Sequence, residues 1–177
     1  MKTSGVAASV AGAVVIAAVS TLGDFIWAMW IPRHLPVYGL THGTLLFCAI
    51  GLYLGFVARK PARGAVAGAL TGALAAGSFY LLAPLTGFPV MFIVWFGVWI
   101  ALGVLNEYLN ARPAFTRVAI GRGLLAASAF GVAFYLISDI WFPFDPAGWD
   151  YLAHFAGWNA AYLPGFAALL MKKRGNH

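Results

Sequence analysis

The sequence predicts an all-α integral membrane protein: six transmembrane helices in one domain spanning residues 1–177, with both termini cytoplasmic. Three observations predict it. Hydrophobic residues make up 62% of the chain and charged residues 9%, where a soluble domain carries about 25% charged residues. Every Lys and Arg except Arg33 falls in one of four clusters: Lys2; Arg59, Lys60 and Arg63; Arg112, Arg117 and Arg122; Lys172, Lys173 and Arg174. The stretch 64–106 between two of them holds no charge at all. A helix needs about 20 apolar residues to cross roughly 30 Å of hydrocarbon, so this stretch holds two spans. The same reasoning gives two spans between Lys2 and Arg59 and two more between Arg117 and Lys172. All four clusters then lie on one face of the bilayer, the cytoplasmic one.

The spans are placed in order. Span one runs over 5–29, continuing through Phe25, Ile26 and Trp27 beyond any point at which a secretory signal would be cleaved, so the start reads as a span and not as a leader confined to residues 1–20. Span two covers 38–58, span three 64–82, span four 89–108, span five 118–141 and span six 151–171. Pro32, Pro36, Pro84, Pro89, Pro143 and Pro146 are expected to end helices on the outer side. Trp27, Trp30, Trp141 and Trp149 gather at that boundary, the depth an indole prefers.

Gly64, Gly68 and Gly72 recur every four residues on span three, with Ala65, Ala69, Ala73 and Gly77 on the adjacent row, and Gly51 and Gly55 shorten the pattern on span two. Small residues let helix backbones approach closely where no hydrophobic force drives them together, so these rows predict helix packing. Cys48, alone and inside a span, reads as a small buried hydrophobe. The net charge of +6 is spread over loops and tails with no aromatic interleaving, which excludes a nucleic-acid footprint. Glu107 is expected to pair with Arg112 or a neighbouring basic cluster, a proton relay being the alternative.

An internal echo draws four titratable residues together. Gly23-Asp24-Phe25-Ile26-Trp27 leads through a Pro-containing loop to Thr41-His42-Gly43, and Ser138-Asp139-Ile140-Trp141 leads through another to Ala153-His154-Phe155. This suggests a parallel pseudo-repeat of spans 1–2 and 5–6. It sets Asp24, His42, Asp139 and His154 at similar depth, just inside the outer interface, where an uncompensated carboxylate costs up to roughly 2–3 kcal/mol and therefore seeks a cavity or a partner. Three arrangements meet that need: Asp–His or Asp–Trp hydrogen bonds that lock helix ends, a polar floor in an outward-facing pocket whose histidines titrate, or a divalent-metal site with His42, His154, Asp24 and Asp139 as ligands.

The aromatic residues suggest what such a pocket holds. His154, Trp158 and Tyr162 recur every four residues on span six, Trp95 and Trp99 do so on span four, and Trp27 follows Asp24 by less than a turn. Together they offer flat walls for an apolar or aromatic ligand with one polar end. Leu22-Gly23-Asp24-Phe25 resembles the glycine-aspartate motif of intramembrane aspartyl proteases, but Thr21 stands where that motif's first glycine belongs and the Tyr-Asp motif before it is missing. No nucleophile elbow, P-loop or dinucleotide fingerprint occurs in the sequence, and the balance lies away from an enzyme. The expectation is a protein of the cell inner membrane that binds or transports a small apolar or aromatic molecule. A metal-dependent membrane enzyme with the same four ligands is the alternative, and an accessory subunit binding other membrane proteins is a third.

Overall fold

A computed structural model describes residues 5–31, 35–87, 90–141 and 148–170, with side chains described except over 134–141. The chain is all-helical over these residues: α1 (Gly5–Trp30), α2 (Pro36–Val57), α3 (Pro61–Thr86), α4 (Val90–Leu109), α5 (Arg117–Trp141) and α6 (Asp150–Leu170). Four of them, α1 to α4, are long and apolar enough to cross a membrane by length and composition. Lys2, Pro32, Arg33, His34, Pro89, Pro143, Asp145, Pro146 and Lys172 to Arg174 lie outside the described residues, as do the side chains of Asp139 and Trp141.

The sequence-derived boundaries differ most at α3, which runs on to Thr86 with Pro84 inside it. Proline there forfeits one backbone hydrogen bond, but only in the final turn, where few bonds remain to lose. The stop comes instead at Gly87, whose φ of 75° is the left-handed value that a residue with a side chain resists. Pro36 likewise opens α2 instead of ending α1, since the missing N–H at a first helical position has no partner to lose. Pro164 lies inside α6.

Each helix packs against its neighbours in sequence, and α1 also packs against α6, so the six close into a ring. Contacts from α4 to α2 and to α6 fill its middle. Successive helices are antiparallel, which brings the α2–α3 and α4–α5 loops, with Arg59, Lys60 and Arg112, to one basic end. The core is a single cluster that includes Ile16, Leu54, Trp99, Leu102, Phe130 and Phe166. Outside it, Leu74, Leu81, Leu85 and Ile93 are exposed. An apolar exterior of this extent is compatible with contact with a lipid bilayer.

The tightest seam joins α2 to α3. Gly39, Gly43, Phe47, Gly51 and Gly55 on α2 recur every four residues against Gly64, Gly68, Gly72, Ala76 and Tyr80 on α3. Gly51 backs onto Gly64 and Gly68, Gly43 onto Gly72 and Ala76, and Gly39 onto the Tyr80 ring. Gly77, the last residue of the predicted second row, is not part of this seam: nothing lies within 4 Å of where its Cβ would stand.

That contrast gives a matched prediction. A Cβ on Gly68 would stand 2.9 Å from the Gly51 Cα and 3.0 Å from the Phe47 carbonyl carbon, both backbone atoms that cannot rotate away. Gly68→Ala is expected to cost about 1–3 kcal/mol through overpacking, whereas Gly77→Ala is neutral or stabilising by a fraction of 1 kcal/mol. Unfolding of both variants in detergent micelles is the check; equal midpoints would mean that α2 and α3 are not held at this distance.

Candidate functional site

Near the end opposite the basic loops, three contacts in succession tie α6 to α1. Ser20 Oγ and Tyr162 Oη share a hydrogen bond of 2.9 Å. One turn further along α1, Asp24 Oδ2 lies 2.8 Å from His154 Nε2 and accepts a 2.7 Å hydrogen bond from Trp158 Nε1. Phe25 and Tyr151 then meet edge to face with ring centroids 5.1 Å apart. The four-residue stripe of His154, Trp158 and Tyr162 thus faces α1, because positions i, i+4 and i+8 share one side of a helix.

The distances fit one arrangement of protons around an ionised Asp24. An indole nitrogen only donates, and Trp158 Nε1 lies nearer to the carboxylate, at 2.7 Å, than to His154 Nε2, at 3.0 Å. A contact of 2.8 Å between His154 Nε2 and an ionised carboxylate needs a proton on that nitrogen. Asp24 Oδ2 therefore takes two N–H donors from one face of α6. Both described hydrogen bonds to this carboxylate fall on the same oxygen.

Asp24 also borders a cavity of about 350 Å³. Its walls come from five helices: Asp24 and Trp27 of α1, His42 and Phe47 of α2, Phe79 and Tyr80 of α3, Trp95 and Trp99 of α4, and Trp158 and Tyr162 of α6, with smaller residues between them. Gly39, Gly43 and Gly72 border it where the α2–α3 seam reaches the cavity. His42 packs over Gly23, where an added Cβ would meet its Cε1 at 2.6 Å, and lies edge to face with Trp27 at 6.1 Å between centroids.

Beneath the cavity sits an aromatic floor. Phe130 of α5 is fully buried and lies 4.5 Å from Trp95, 4.8 Å from Tyr162 and 5.2 Å from Trp99 between ring centroids. Trp158 stacks on Tyr162 at 5.6 Å. Such rings contribute both area and shape, with centroid spacings in the range that offset or edge contacts favour.

Of the residues singled out in the sequence, Asp24, Trp27, His42, Trp95, Trp99, Trp158 and Tyr162 border this one cavity. His154 stands behind Asp24 and bonds to it. The Asp139 side chain lies outside the described residues. Asp24 is bonded to the histidine of α6, not to that of α2, which follows it in sequence. Among the described residues no three His, Cys, Asp or Glu side chains gather as a metal-ligand group. The ring order places α5 beside α4 and α6, with no α1–α5 contact among the described residues, and no described α5 residue borders the cavity.

Residues that sequence reasoning missed are Phe79 and Tyr80, the glycines Gly39 and Gly43, and Phe130. Tyr80 was within reach, since extending the four-residue spacing of Gly64, Gly68 and Gly72 through Ala76 arrives at it, and the same spacing carried back from Gly55 and Gly51 through Phe47 reaches Gly43 and Gly39. Phe130 carried no such signal.

No family model matches the chain, and neither a curated protein nor a solved structure matches it.

Proposed function

We propose that this is a six-span protein of the cell inner membrane, with both termini cytoplasmic, that binds or transports a small apolar or aromatic molecule in the cavity bordered by Asp24 and His42. One observation carries the reading: an aromatic-walled space of about 350 Å³ with a carboxylate at its edge, within the size range of small-molecule sites and with their mix of apolar walls and few polar groups. Six spans follow if α5 and α6, of 25 and 21 residues, cross beside the other four; at 1.5 Å per residue each is roughly 30 Å or longer. The basic loops at one end supply the orientation. The cavity then opens toward the outer face.

Two experiments test it. Single cysteines at Arg59 and Arg63 are expected to react with a membrane-impermeant maleimide only after the membrane is opened; labelling of intact cells would overturn the orientation. Met91→Trp, which places an indole among the residues bordering the cavity, is expected to weaken saturable binding of 1-naphthalenemethanol at least about tenfold, the loss of roughly 1.4 kcal/mol of contact. Binding unchanged in that variant would place the ligand elsewhere.

A further inference from the structure

The border of the cavity is chemically one-sided, and its asymmetry indicates the charge of the ligand. Among the described residues no Lys or Arg borders it, and Asp24 is the sole Asp or Glu that does. Arg112 and Arg122 are committed to Glu107 at the other end of the molecule. The two N–H donors on Asp24 converge on Oδ2, so further acceptor capacity of the carboxylate, which has two oxygens and about four lone-pair directions, remains for a donor from the cavity. Around it stand four indoles, Trp27, Trp95, Trp99 and Trp158, whose electron-rich faces attract cations more strongly than those of any other side chain.

Resting on the binding reading above, we infer that the ligand is a lipophilic amine: an apolar or aromatic body carrying a single protonated nitrogen that hydrogen-bonds to Asp24 and lies against the indole faces. The alternatives fit the same walls less well. A carboxylate or phosphate head meets Asp24 with no Lys or Arg among the described bordering residues to offset the repulsion. A neutral hydroxyl can donate to Asp24, but it forms neither a charge-assisted bond nor a cation–π contact. With His154 neutral and its proton on Nε2, a form that fits the 2.8 Å contact, the pair it makes with Asp24 keeps its negative charge. His42 and Tyr80 are the other titratable side chains at the border besides Tyr162, whose hydroxyl is bonded to Ser20.

The test uses three probes with one body and three heads: 1-naphthylmethylamine, 1-naphthalenemethanol and 1-naphthoate. Each is titrated calorimetrically into the purified full chain in micelles, with empty micelles as the blank. The amine is expected to bind about tenfold or more tighter than the alcohol, the scale of one charge-assisted contact, and the naphthoate weakest of the three. In Asp24→Asn the advantage of the amine over the alcohol is expected to vanish. Equal affinities for amine and alcohol in the unaltered protein, or naphthoate binding as tightly as the amine, would overturn the inference while leaving the pocket reading in place. An amine preference that survives in a folded Asp24→Asn protein would overturn it too. Absence of saturable binding by all three would sink the pocket reading and this inference together. The comparison of heads needs no variant, so it decides the matter even if Asp24→Asn fails to fold.

Discussion

Glu107→Ala is expected to lower the stability of the folded protein by about 3 kcal/mol. Glu107 sits at the basic end of α4 with only 6% of its side chain exposed, and its two carboxylate oxygens accept from different arginines: Oε1 from Arg122 Nη1 at 3.1 Å and Oε2 from Arg112 Nη1 at 3.3 Å. Removing it leaves both without a counter-charge, but unequally. Arg112 is 42% exposed and turns into water; Arg122 is 18% exposed and held between helices. One stranded charge therefore dominates, which puts the cost near the low end of the roughly 3–5 kcal/mol seen when a buried pair loses one partner. Some compensation remains, because Arg122 Nη1 also reaches the Leu169 carbonyl at 3.5 Å, which accepts from Asn106 Nδ2 at 3.0 Å. That carbonyl lies in the last turn of α6, where unpaired acceptors and the helix dipole both favour donors and positive charge.

The decisive comparison is a double-mutant cycle. Glu107→Ala with Arg122→Met should be more stable than Glu107→Ala alone, since an apolar replacement removes the buried charge that the single variant strands. Chemical unfolding in micelles measures both. A loss under about 0.5 kcal/mol for Glu107→Ala would show that water reaches the cluster freely, as at an ordinary surface pair.

How much of this was legible in the sequence depends on the range of the interaction involved. The helix positions were readable within a few residues because charge is excluded from long apolar runs, so each basic cluster marks an end. The Gly64, Gly68 and Gly72 seam was readable because a four-residue repeat is a local pattern. Pro84 misled because the residue type signals a break, while the backbone at Gly87 decides where the break falls. The association of an Asp with a His at this depth was suggested by the cost of a lone carboxylate, but the partner was not. Asp24 bonds to His154, 130 residues away, because α1 closes the ring against α6, and ring closure leaves no trace in composition or spacing. The indole of Trp158 as a second donor follows from the same closure. Phe130 was the least visible of all: it lies on a helix of small residues, Ala126, Ala127 and Gly131, and its role comes from where α5 sits against α4 and α6.

Phe130→Ala is accordingly expected to be the most damaging single truncation of the core, costing about 2–3 kcal/mol. The ring is fully buried and touches Trp95, Trp99, Trp158 and Tyr162, joining α4, α5 and α6. In a water-soluble core a Phe→Ala change costs about 3–5 kcal/mol, part of it the transfer of apolar surface to water on unfolding and part the void left behind. In a bilayer the separated helices remain in an apolar solvent, so the transfer part falls away and the void and lost ring contacts remain. That reasoning lowers the figure without erasing it. Phe130→Leu, which keeps most of the volume, should cost less than about 1.5 kcal/mol. The two variants also differ in what they do to binding. Four side chains that touch Phe130 border the cavity, so removing the ring lets their indoles and phenol drop into the space beneath and deepens the pocket. Phe130→Ala should then bind an anthracene body more tightly than the unaltered protein does, whereas Phe130→Leu should not. Unfolding in micelles reads the first effect and calorimetric titration with 9-anthracenemethanol the second. If Phe130→Ala unfolds at the same denaturant concentration as the unaltered chain, the aromatic floor is not a packed core, and the walls of the cavity stand without it.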